Sequence, residues 1–160
     1  MKRFVCIAIA LCLGLLSCSK QSYTDDLPCK ELCFEVLGEL DDHKEYAELG
    51  NSHREFYFGS DEQYDDCYIA YSTDTNDINE LGVFHAANGE SAEALFKICM
   101  SYVSDLSENS RAFIESYAPG ELPKLEAADV RRYGNYVVYA VMSDSEVARV
   151  FAAAKALLEN

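Results

Sequence analysis

The chain has 160 residues, with 13 Lys and Arg against 28 Asp and Glu and a formal charge of −15. That length suits a single domain with a real core. So acidic a chain repels nucleic acid and anionic lipid, which excludes nucleic acid as a partner and leaves no basic face for a membrane.

Lys2 and Arg3 precede an apolar run over 4–16. Positive charge followed by a short apolar stretch is the pattern of an export signal. The run falls short of the roughly 20 residues that a membrane-crossing helix needs. It ends in Leu15-Leu16-Ser17-Cys18, a bacterial lipoprotein cleavage pattern. The peptidase needs a small residue at the cut, here Ser17, and only the thiol of Cys18 can accept the diacylglycerol. The expected organisation is a signal peptide over 1–17, a lipidated tether over 18–26 and one domain over 27–160. Loss of Lys2 and Arg3 lowers the basic count to 11 against 28 acids, a formal −17, so the lipid rather than the protein surface holds the membrane. The expected location is the cell membrane, lipid-anchored and facing outside the cytoplasm.

A helix is predicted from about 27 to 40. Asp25 or Asp26 can cap it, Pro28 suits its first turn, and Leu32, Cys33, Val36, Leu37 and Leu40 form its apolar stripe. Residues 46–59 are irregular, with an apolar clump at Phe56, Tyr57 and Phe58, and 61–66 is an acidic loop. Strands follow over 67–71 and 81–86, separated by the polar stretch 72–79, with an Asn88-Gly89 turn after them. A long helix begins near Ser91, carries Leu95, Cys99, Tyr102, Val103 and Leu106 on one face, and stops before Pro119. A helical turn over 121–126 leads to a strand over 128–132, a Gly134-Asn135 hairpin turn and a strand over 136–142. Ser143 and Glu146 have capping-box spacing before a final amphipathic helix. The predicted fold is therefore α+β: an N-terminal helix followed by two β-β-α units, giving a four-stranded, mainly antiparallel sheet with helices packed on one face.

The mature chain keeps Cys29, Cys33, Cys67 and Cys99 beside the acylated Cys18. Outside the cytoplasm an even count permits two disulfides, with three connectivities. Cys29 and Cys33 are poorly placed to bridge each other within one helix. Four buried thiols are the other reading, and a metal site the third, although no CxxC spacing is present and His43, His53 and His85 are scattered.

No nucleophile, histidine and acid group together, and no Gly-rich phosphate loop calls for a cofactor. Asp74, Asp77 and Glu80 place oxygen ligands along one loop in a manner that calcium uses, without the central glycine of an EF-hand. Tyrosines are abundant at 11. With helices on one face only, the other face would expose Tyr68 and Tyr139 as part of an aromatic patch fit for an envelope protein or small-molecule ligand; the other reading is that the N-terminal helix folds over that face or that the tyrosines pack at the core rim.

Ser116-Tyr117-Ala118-Pro119-Gly120-Glu121-Leu122-Pro123-Lys124-Leu125-Glu126, then Gly134-Asn135-Tyr136-Val137 and Val141-Met142-Ser143-Asp144, resemble a family of small lipoproteins of Clostridia-like bacteria, catalogued as domain of unknown function 4358. The resemblance implies a location and a shape, and carries no activity or site residues. The expected function is a non-catalytic binding or interaction module of the cell envelope. The alternatives are an envelope hydrolase using carboxylates and a cysteine-based redox or metal module.

Overall fold

The computed structural model describes residues 22–40, 44–59 and 63–160; the signal segment, Ser17 and Cys18 lie outside the described residues. The strands are β1 (Tyr46–Glu48), β2 (Asp66–Ser72), β3 (Glu80–His85), β4 (Asp129–Tyr133) and β5 (Tyr136–Val141). They form one antiparallel sheet in the order β1-β2-β3-β5-β4. The helices are α1 (Cys29–Gly38), α2 (Asn51–Phe58), α3 (Gly89–Tyr117), α4 (Leu122–Ala127) and α5 (Asp144–Leu158). The α+β class, the antiparallel sheet and both β-β-α units agree with the sequence pattern.

Two expectations need correction. Among the described residues the sheet has five strands, not four. The extra one, β1, pairs with Ala70–Ser72 at the sheet edge. Three residues are too few to show a period, so only long-range pairing defines this strand. The helices also cover both faces rather than one. On one side α1 and α5 bury Leu32, Val36, Val150, Phe151 and Leu158 against Tyr68, Val83, Tyr136 and Val138. On the other, α2, α3 and α4 bury Phe58, Leu95, Tyr102 and Leu125 against Ile69, Phe84, Val137 and Tyr139. Each such aliphatic side chain contributes about 1.5–3 kcal/mol when fully buried. All six residues of β5 are buried, which follows from cover on both faces.

The expected Tyr68 and Tyr139 patch therefore does not exist. The two rings lie on opposite faces of the sheet, 7% and 0% exposed. Phe34 sits 5.5 Å from the Tyr68 ring, and the Lys30 ammonium 5.3 Å from it. Phe58 stacks on Tyr139 at 5.7 Å.

Local signals explain most helix boundaries. Asn88 accepts the N–H groups of Glu90 and Ser91 at 3.0 Å and so starts α3 two residues before Ser91. The Ser143/Glu146 capping box opens α5. The first helix differs from expectation, because neither Asp25 nor Asp26 caps it. Asp66, from β2, accepts the Cys29 N–H at 2.8 Å. Asp25 instead meets His85 Nε2 at 3.0 Å and accepts Asn135 Nδ2 at 2.9 Å.

That use of Asp25 belongs to a strap. Tyr23 bridges to Glu159, Thr24 N–H donates to the Leu158 carbonyl at 2.8 Å, and Asn160 N–H donates to the Ser22 carbonyl at 3.1 Å. The segment expected to be a free tether is thus tied to the domain from Ser22 onward. The strap lies at the end of β3 that carries His85, and the opposite end of β3 begins at Glu80.

Candidate functional site

The loop between Ser72 and Glu80 folds on its own side chains. Asp74 accepts the Asn76 N–H at 2.9 Å, Asp77 accepts the Asn79 N–H at 3.2 Å, and Ser72 N–H closes on the Asn79 carbonyl at 2.8 Å. Such local bonds are what Asp and Asn supply in turns. They aim Asp77 inward, where it is 9% exposed and becomes the hub of a charge network. Lys124 Nζ lies 2.5 Å from Asp77 Oδ1 and 2.6 Å from Glu121 Oε2. Lys44 Nζ lies 3.3 Å from Asp77 Oδ2 and 3.2 Å from Glu146 Oε1. Glu146 thereby joins the cap of α5 to the loop. Glu121 also accepts the Ile78 N–H at 3.1 Å.

Burial pushes the Asp77 carboxyl up, but hydrogen bonds from Lys124 and Ser72 and the Lys124 charge outweigh it and hold the group at about 2. Glu146 is likewise lowered: burial opposes ionisation, and the Ser143 cap bonds with Lys44 overcome it. This network lines an open polar basin of about 510 Å³.

Beside it, sharing Ser72 and Asp77, lies a chamber of about 350 Å³ walled by Leu49, Ile78, Leu106, Phe113, Ile114 and Leu125. Such a size is at the small end of ligand pockets. Glu80 and Asn79 also line it. Glu80 Oε1 accepts the Tyr139 hydroxyl at 2.6 Å and the Tyr102 hydroxyl at 2.7 Å. Burial raises the Glu80 carboxyl above its ordinary range, against the pull of the two hydroxyls. The same burial, with the Glu80 charge, keeps both tyrosines protonated. Two acceptors stay open: Glu80 Oε2 and Asn79 Oδ1 take no hydrogen bond among the described residues. Asn79 is 1% exposed, and its amide nitrogen is fixed by Tyr46 and Glu146.

Asp74, Asp77 and Glu80, expected as oxygen ligands of one cation, point to three different destinations: a turn amide, two lysines and two tyrosines. Among the described residues no three His, Cys, Asp or Glu side chains converge as a metal requires. His85 lies at the far end of β3 against Asp25, Asp65 and Tyr136.

The four cysteines stand as free thiols. Cys29 and Cys33 belong to the core under α1, whereas Cys99 lies in the core under α3 with Cys67 packed against it. The sheet separates the two sets, leaving only Cys29 with Cys33 and Cys67 with Cys99 on a common side. Burial raises all four, Cys33 to about 12 and Cys67 to about 11, which suppresses the thiolate that redox or metal chemistry uses.

Sequence reasoning missed the Glu80, Tyr102 and Tyr139 group. One signal was there: alternation from Phe84 through Gly82 puts Glu80 on a core-facing side of its strand. The Tyr-Ala-Pro to Pro-Lys-Leu segment supplies Glu121, Lys124 and Leu125 to the same cleft.

No curated protein and no solved structure matches the chain. The profile of the family described as Domain of unknown function (DUF4358) matches residues 43–142, which hold all five strands and every cleft residue named above except Glu146, and the protein belongs to that family.

Proposed function

We propose that the protein is a non-catalytic binding module of the cell envelope, lipid-anchored through Cys18, which takes a small ligand into the chamber beside the Ser72–Glu80 loop. One observation carries the binding reading: a carboxyl group held by two tyrosine hydroxyls in a chamber whose other walls are largely apolar, with Ser72, Asp77, Asn79 and Ser110 among them. Such a pocket, mostly apolar with a few convergent polar groups, is the usual form of a small-molecule site. A carboxylate hydrolase pairs a raised acid with an ionised partner free to act as base or nucleophile, and Asp77, the lowered neighbour of Glu80, is instead engaged by both Lys44 and Lys124.

The strap supports a defined presentation of that site. Four residues from Cys18 to Ser22 span at most roughly 14 Å. Glu80 and Ser22 lie toward opposite ends of the sheet, about 17 Å apart along β3 alone at the usual rise per residue. The chamber then lies at the end of the sheet farther from the anchor. No helix among the described residues is long and apolar enough to cross a membrane.

The test is a ligand-observed NMR screen of small apolar fragments on the purified protein and on Ser110→Trp, whose indole would fill the chamber from α3. Fragments that bind the protein and lose binding in Ser110→Trp are expected. Absence of binders, or binding indifferent to the plug, would remove the proposal.

A further inference from the structure

Resting on the chamber as a binding site, we infer that its ligand is a small organic cation: an ammonium carried on an apolar body. The argument starts from what the walls offer. The charged side chains lining the chamber are Glu80 and Asp77, both acids. The cations paired with Asp77, Lys44 and Lys124, each face two carboxylates across the loop and belong to the basin. An anionic ligand would therefore meet like charge with no cation to receive it.

The hydrogen-bonding inventory points the same way. Tyr102 and Tyr139 spend their hydroxyl protons on Glu80 Oε1. What remains on the chamber wall is Glu80 Oε2, an acceptor without a donor among the described residues; Asn79 Oδ1 also lacks a donor but is sealed from the chamber. An acceptor without a donor is costly, so a ligand that donates to Glu80 Oε2 relieves that cost. An ammonium group has three donors, no acceptor and a charge opposite to that of a carboxylate, which suits Glu80 Oε2. Leu106, Ile114 and Leu125 receive the apolar body. Phe113 and Tyr71, 65% and 39% exposed at the mouth, offer ring faces that attract a cation on entry. At longer range the formal charge of −15 draws cations and repels anions.

Titration calorimetry on the unaltered protein with three probes of one body decides the question: phenethylamine, 2-phenylethanol and 3-phenylpropionate. Phenethylamine is expected to bind at least tenfold more tightly than the alcohol, and the carboxylate not to bind. In Glu80→Gln the ratio of amine to alcohol affinity should collapse toward one. If the alcohol or the carboxylate matches the amine on the unaltered protein, the ligand class is wrong while the chamber reading stands. If none of the three binds, the inference fails together with the chamber. Because the three-probe comparison needs no variant, it holds even if Glu80→Gln does not fold.

Discussion

Gly82 lies directly opposite Tyr139 in the β3–β5 pairing, and a Cβ on Gly82 would fall inside the Tyr139 ring. The missing side chain lets the ring lie across β3 and reach Glu80, two residues along the same face. Glycine in a strand weakens it by about 0.5–1 kcal/mol, so its presence here has a use. Gly82→Ala should push the ring aside and cost about 1–3 kcal/mol, as overpacked cores do. Urea unfolding measures this. A variant within about 0.5 kcal/mol of the parent would mean that the ring does not occupy the space over Gly82.

The Asp77 hub gives the protein an acid-sensitive edge. Its folded carboxyl sits at about 2, below the ordinary value near 4, so the folded state holds the proton less tightly than the unfolded chain. The contribution is present above about pH 4 and fades as pH falls toward 2, amounting to about 2 kcal/mol. Unfolding free energies between pH 6 and 2 should show this acid limb, and Asp77→Asn should flatten it. A limb of equal depth in the variant would assign the effect to other carboxylates.

The strap makes a prediction about release. Lys20 precedes Ser22, where the chain joins the domain through Thr24 and Leu158. Trypsin applied to membranes should release a soluble domain beginning at Gln21. The uncleaved mature protein should carry a lipid-sized mass increment that Cys18→Ala lacks. A released fragment starting at Glu31, cut after Lys30, would show that the strap is not held, and no mass increment would remove the anchor.

Why the class of the fold was legible and the cover of the sheet was not follows from where each kind of information sits. Val137 to Val141 are rich in β-branched and aromatic residues and strand-like wherever they pack, and Ser143 with Glu146 marks a helix start locally. Nothing local says that α1 would cross to the face opposite α3, because its stripe from Leu32 to Leu40 fits either side. Tyr139 reads equally well as a patch residue or a core residue until Gly82 is known to oppose it. Asp25 was legible as a cap, yet the bond went to Asp66, 37 residues away from Cys29. In the cleft, Glu80 was visible only as one acid among 28. Its partners Tyr102 and Tyr139 come from α3 and β5, and register alone brings them to one oxygen.

Glu80 itself tests whether the chamber keeps a charge at the expense of stability. Its carboxyl is raised by burial, so the folded state binds the proton more tightly than the unfolded chain. The favourable contribution is present below the unfolded value of about 4.3 and is lost as pH rises through the folded value. Above the folded value the ionised group is a cost. Glutamine keeps a carbonyl oxygen to accept both tyrosine hydroxyls and brings no charge. Glu80→Gln should therefore melt higher than the parent at pH 7.5, by a few degrees per kcal/mol of relief. The difference should close as pH approaches 4, where the parent is protonated. Thermal melts across that range are the measurement. A variant that melts lower at pH 7.5 would mean that the carboxylate is well solvated or paired, and the chamber would lose its central feature. A variant that melts higher would show a domain retaining a costly charge where an amide would hold the same bonds, the pattern expected of a group kept for binding rather than for folding.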